Sequence, residues 1–134
     1  GADHTAGNVP MFDSKDKTTE ELMEVSFGAQ IGSAAADSLG LCIFGRAVTL
    51  EKLDFVAEAV NNAAGTDLDG SFFMALGREV LELEWEFNKQ AGFTPEDDEL
   101  PAFFYDEALA PTGRKARHHG PEANAKLEKL LGDK

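Results

Sequence analysis

The chain has 134 residues, 43% of them hydrophobic, and 12 basic side chains against 25 acidic ones give a formal net charge of −13. That length and composition predict one globular domain, residues 1–134, with a modest core. The acidic balance disfavours nucleic acid and anionic membranes as partners, the apolar runs fall short of a bilayer span, and the single cysteine, Cys42, excludes an internal disulfide and fits a reducing compartment.

No charged-apolar-small leader opens the chain, so the expected location is cytoplasmic. Gly1 to Ser14 is rich in Gly, Asp, Asn and Pro and reads as loop. His4 lies in it. A lone loop histidine is ordinarily a solvated or hydrogen-bonded side chain, although a pKa near neutrality suits imidazole to proton handling. Thr18 and Glu21 form a capping box, which predicts a helix to about Ala36. Leu22, Val25, Ala29, Ser33 and Ala36 recur along it at helical spacing. Its second half is unusually small, with Gly28, Gly32 and Ala34 to Ala36. Such a surface admits close packing of another helix or of a flat cofactor.

Asp37-Ser38-Leu39-Gly40-Leu41-Cys42 follows. A carboxylate can accept two parallel hydrogen bonds from a fork of N–H donors. A glycine permits positive φ or a close backbone approach. A thiolate binds a soft metal or an iron–sulfur cluster. The plainer reading is a helix end with a glycine cap and a buried, inert cysteine. Cys42 to Val48 reads as a short helix or turn. Thr49 is expected to cap a helix with Leu50, Leu53, Val56, Ala57, Val60 and Ala64 on one face, ended by Gly65.

Asp69 or Ser71 opens the longest helix, to about Gln90. Phe73, Leu76, Val80, Leu83 and Phe87 form its expected core stripe. Trp85 sits off that stripe, facing a neighbouring element. Arg78 and Glu82 are placed to pair. Glu79, Glu82, Glu84 and Glu86 read as a solvated face rather than a metal cluster, because no histidine stands at a compatible spacing. Gly92 closes the helix. Phe93 to Gly120 is expected to be mostly loop, pinned by Phe103, Phe104, Tyr105 and Leu109, with a basic cluster of Arg114, Lys115, Arg117, His118 and His119 read as solvated. Pro121 opens a last helix that buries Leu127, Leu130 and Leu131. No strand-period segment, phosphate loop, nucleophile elbow or C-x-x-C pair is present. The predicted fold class is therefore all-α, with about four helices and long loops.

Four segments, in order, resemble one family. Asp37 to Cys42 resembles the D-x-x-G-L-C motif of the tungsten-dependent aldehyde:ferredoxin oxidoreductases. Gly1-Ala2-Asp3-His4-Thr5-Ala6-Gly7 resembles their G-A-D-H-T segment, and Asn61-Asn62-Ala63-Ala64-Gly65-Thr66-Asp67-Leu68 their L-N-A-A-T-G-W-D-L stretch, with the order around the glycine altered. Phe87 to Pro101 resembles F-N-x-R-E-G-F-x-R-x-D-D-x-L-P. The likeness is to the C-terminal part of the enzyme.

The resemblance implies oxidation of an aldehyde to a carboxylic acid, with electrons passed to ferredoxin. It implies tungsten, or molybdenum, held by two pterin dithiolenes beside a [4Fe–4S] cluster in the complete enzyme. On this chain, Asp37 would accept hydrogen bonds from a pterin. Ser38 and the backbone of Leu39, Gly40 and Leu41 would line it, Cys42 would be one cluster ligand, and His4 would handle protons. The partners implied are the rest of the enzyme with its N-terminal pterin domain and upstream cysteines, ferredoxin and the aldehyde; an oligomer is compatible. One thiolate cannot complete a cluster, so the isolated chain is expected to be inactive and without cofactor. The competing reading is a non-catalytic helical module that binds protein.

Overall fold

Thr18 does what its position predicts. Its hydroxyl accepts the Glu21 backbone N–H at 3.1 Å and its own N–H donates to the Glu21 carboxylate at 3.0 Å. In the computed structural model, which describes residues 7, 9, 11–45 and 49–132, this box opens α1, Thr19–Ser38. The helix runs two residues beyond the expected end at Ala36. α2 is Leu53–Ala64, α3 Ser71–Gln90, α4 the single turn Phe103–Asp106, and α5 Gly120–Gly132. Short 3₁₀ turns occupy Ile43–Gly45 and Pro95–Asp98. Among the described residues there is no strand, only an isolated bridge between Leu109 and Arg114. The fold is all-α, and no described helix is long and apolar enough to cross a membrane.

α1 is the axis. It packs along α3 and against α5, and α2 lies on α3. The tightest point of the α1–α3 contact is Gly77, where an added Cβ would lie 2.0 Å from the Ile31 carbonyl oxygen. On one side of this crossing Phe73 meets Ala35, Ala36 and Val56. On the other, Leu81 and Trp85 pack on Phe27, Ile31 and Leu131. The small residues of α1 thus serve helix packing: Ser33, Ala35 and Ala36 are buried. Arg78 ties three helices together. It pairs with Glu82 at 3.3 Å, donates to the Leu130 and Leu131 carbonyls at 2.5 and 3.1 Å, and lies over the Phe27 ring.

Four expectations need correction. The α3 core stripe is not the one that the apolar spacing suggests: Leu83 is 65% and Phe87 71% exposed. The packed line descends instead through buried Phe73 and Gly77 and half-buried Leu81 and Trp85, because a glycine makes the closest contact and carries no apolar signal. Thr49 does not cap α2. Lys52 precedes the first turn without a side-chain cap, and the Thr49 hydroxyl donates to the Gly45 carbonyl. Phe103, Phe104 and Leu109 do not pin their loop by burial, since all three are exposed. Polar contacts hold it: the Ala116 N–H donates to the Phe104 carbonyl at 2.8 Å and the Tyr105 hydroxyl to the His118 carbonyl at 3.1 Å. Nor are both histidines of the basic cluster simply solvated. His118 Nδ1 shares a hydrogen bond with the Thr19 hydroxyl at 3.0 Å, and its Nε2 is buried without a partner.

Gly77 and Gly28 provide a paired test. Gly77→Ala should destabilise the chain by about 3 kcal/mol, because backbone rather than a flexible side chain stands in the way. Gly28→Ala meets nothing within 4 Å, and should stabilise the helix by roughly 0.5–1 kcal/mol. Urea unfolding of both variants reads the difference. Equal midpoints would mean that α1 and α3 do not cross at Gly77.

Candidate functional site

The turn after α1 is a Schellman cap. The Gly40 N–H donates to the Asp37 carbonyl at 3.0 Å and the Leu41 N–H to the Ala36 carbonyl at 2.8 Å. Gly40 takes φ +66°, a conformation that glycine adopts without a Cβ clash. Leu39 and Leu41 pack inward against Ala35, Ala36, Val56 and Phe73, with Leu53 and Phe72 completing the floor. Asp37, Gly40 and Cys42 are exposed instead. The cap therefore separates the motif into an apolar half that anchors it and a reactive half that faces outward.

Each member of the motif can be placed. The Asp37 carboxylate has no hydrogen-bond or ion-pair partner among the described residues. The Ser38 hydroxyl is spent on the Ala34 carbonyl at 2.7 Å. The space above Gly40 is open: an added Cβ would meet nothing within 4 Å. Cys42 is a free, exposed thiol, unlike the buried cysteine of a plain helix end. The Gly45 N–H closes the following turn on the Cys42 carbonyl at 2.8 Å, and beside it Phe44 is 94% exposed. His4 and residues 46–48 lie outside the described residues. Among those described, no three His, Cys, Asp or Glu side chains converge as a metal site.

The other two described segments of the resemblance do structural work. Asn61 staples the loop after α2: its carboxamide donates to the Leu68 carbonyl at 2.8 Å and accepts from the Leu68 N–H at 2.8 Å and the Thr66 hydroxyl at 2.7 Å. In the acidic run, Asp97 accepts the Thr94 N–H at 2.7 Å and Asp98 accepts from Asn124 at 2.9 Å. Glu99 takes the Gly120 N–H at 2.5 Å and contacts His119 Nδ1 at 2.6 Å, with the Tyr105 ring stacked on that imidazole. The His119 hydrogen bond, reinforced by the Gly120 N–H, holds the Glu99 carboxyl below the ordinary carboxylate range. Partial burial and the neighbouring Glu99 push the Tyr105 hydroxyl up. The sequence concealed this clasp because its partners lie 20 residues apart across irregular backbone.

The fold and the turn define a class: a helical domain that offers an outward carboxylate and an outward thiol from a rigid helix cap. The match to known families narrows it. A family model described as aldehyde ferredoxin oxidoreductase, domains 2 and 3, covers residues 1–133, and the chain belongs to that family. Neither curated proteins nor solved structures return a match.

Two measurements check this geometry. A thiol reagent should label Cys42 stoichiometrically in the folded chain, at a rate close to that in denaturant. Labelling only after unfolding would place the thiol inside. The Glu99 clasp should be acid-labile. Because its carboxyl titrates lower when folded than its ordinary 4.5, its stabilisation is present above that value and lost as pH falls through the folded value. Glu99→Gln should therefore lose less stability than the parent chain between about pH 6 and 3, roughly one and a half units either side of the ordinary carboxylate value. Parallel losses would show that Glu99 makes no differential interaction.

Proposed function

We propose that this chain is the C-terminal portion of a tungsten- or molybdenum-pterin oxidoreductase that oxidises aldehydes to carboxylic acids and passes electrons through a [4Fe–4S] cluster to ferredoxin. The observation that carries this reading is that Asp37 and Cys42 are both exposed on a cap whose Leu39 and Leu41 pack on the core. The family match supports the oxidoreductase setting.

The donor set suits the groups concerned. The N–H groups of Leu39, Gly40 and Leu41 are consumed by helix carbonyls. With those three donors consumed, the Asp37 carboxylate offers a ligand at this turn acceptor chemistry. The amino-pyrimidine edge of a pterin is a fork of donors, and a carboxylate is its bidentate complement. Gly40 leaves room for a flat ring. Ser38 contributes through its backbone, because its hydroxyl is committed to Ala34. Cys42 supplies one thiolate, and the cluster's remaining ligands come from outside this chain. When bound, the metal-pterin supplies the redox chemistry of aldehyde oxidation. Asp37 would hold the pterin, Cys42 would ligate the cluster, and His4 would carry protons.

This reading makes the chain inactive alone and predicts that the rest of the enzyme covers much of its surface. Phe44, Phe55, Leu83, Phe87 and Phe93 are each more than half exposed. Exposed apolar side chains in such number are what a surface shared with another domain looks like. The same feature favours the second reading, a helical module that binds protein without catalysis.

Substitutions in the complete enzyme separate the two. Asp37→Asn replaces a two-acceptor fork by one acceptor and one donor, and should weaken pterin retention by roughly 10–100-fold with the helical spectrum unchanged. Cys42→Ala should remove or alter the cluster and abolish ferredoxin reduction while part of the pterin remains. Iron content, pterin content and circular dichroism read these apart. Unchanged pterin and iron in both variants would leave only the interaction module.

A further inference from the structure

The chain's cations are not evenly spread. Lys15, Arg114, Lys115 and Arg117 line one open groove of ≈ 980 Å³ between residues 11–15 and 112–118. Two segments about a hundred positions apart meet there, joined by a hydrogen bond from the Arg117 guanidinium to the Ser14 carbonyl. One wall is a stiff turn: the Leu109 N–H donates to the Arg114 carbonyl and the Gly113 N–H to the Leu109 carbonyl, both at 2.8 Å. His118 closes the floor, hydrogen-bonded to Thr19 at the start of α1. Among the described residues the one acid lining the groove is Asp13, whose carboxylate accepts the Lys15 backbone N–H at 3.1 Å. Elsewhere Lys17 pairs with Glu21, Arg78 with Glu82, Lys89 with Glu86 and Lys126 with Glu24, while Lys52 and Lys129, also without an ion pair among the described residues, lie outside the groove. The four cations of the groove form no ion pair among the described residues.

We propose that this groove is a docking surface for an acidic polypeptide segment of a partner protein. The charge distribution selects that occupant. A chain of net charge −13 repels an acidic partner from most directions, so a local excess of unpaired cations admits it in one orientation. The groove is wide and its cations sit on long, exposed stems, which suits several carboxylates along an extended chain better than one small anion. Met11, 96% exposed, and Phe12 add an apolar strip beside the charges. α1 has 20 residues, about 30 Å at 1.5 Å per residue, and separates the groove at its start from the Asp37–Cys42 turn at its end. The surface is thus distinct from the proposed redox site and does not depend on its assignment.

Fluorescence anisotropy of a labelled ten-residue oligoglutamate, titrated with the full 134-residue chain at low salt, tests this. Binding should weaken as salt is raised and fall at least tenfold in Arg114→Glu/Lys115→Glu. Lys52→Glu/Lys129→Glu, which changes charge equally outside the groove, should leave it within twofold. Circular dichroism confirms that both variants fold, and Lys15→Glu on the opposite wall repeats the test should the double variant fail to fold. Equal loss in both double variants would overturn the proposal, as would tighter binding of inorganic phosphate or a DNA oligonucleotide than of oligoglutamate. Salt-dependent self-association that disappears in Arg114→Glu/Lys115→Glu would also overturn it, by giving the groove to a second copy.

Discussion

The Ile31 carbonyl leaves no room for a side chain at Gly77. That one contact sets how closely α1 and α3 approach, and everything around the candidate site follows from it. With the backbones in contact there, Phe73 is carried one turn along to the level of Ala35 and Ala36, where it is fully buried. Those alanines belong to the last turns of α1. The ring thus forms the floor on which Leu39 and Leu41 rest. A wider crossing would leave the cap unsupported and its outward side chains without a fixed direction. Arg78, next to Gly77 in sequence, reaches the last carbonyls of α5 and so ties the third helix to the same crossing.

Much of the fold was legible in the sequence where the signal is local. The capping box at Thr18 involves residues three apart, and it forms as written. Gly65 ends α2 in the left-handed conformation, and Arg78 pairs with Glu82 one turn on. Legibility failed where tertiary geometry overrides local pattern. The apolar spacing of α3 points to Leu83 and Phe87, yet both lie on the open face, because the helix is rotated to bring a glycine against α1. Hydrophobic periodicity cannot register a contact made by an absent side chain. The segment after α3 shows the complementary failure. Its aromatic residues suggested apolar pinning, but carboxylate, imidazole and backbone groups hold it, and no local spacing announces such pairs.

The segments shared with the family divide by role once the side chains are placed. Asn61 closes a loop on itself, Asp97 caps a turn, and Asp98 and Glu99 fasten that turn to the start of α5. A hydrogen-bonded polar group of this kind serves the structure that it completes. Asp37 and Cys42 do not fit that pattern. They stand next to well-satisfied neighbours yet have no described partner of their own. In the same motif Ser38 is committed to its helix and the two leucines to the core, so its lack of engagement is confined to the two residues with the most reactive groups.

Gly40 cannot decide between a helix cap and a cofactor cradle, because one positive φ serves both. The thiol can. A helix end needs nothing at Cys42 beyond a small residue that fits, and burial is the usual state of a cysteine retained for packing. Here the preceding Leu41 takes the inward position and the following Phe44 is itself left in the open. Exposing a phenylalanine and a cysteine at the mouth of a rigid cap has no stabilising return for the chain alone. In the proposed enzyme another surface would cover both, bringing apolar area to Phe44 and metal ligation to the thiolate. What supports the proposed redox interface is therefore the set of side chains that the fold leaves uncovered at this turn.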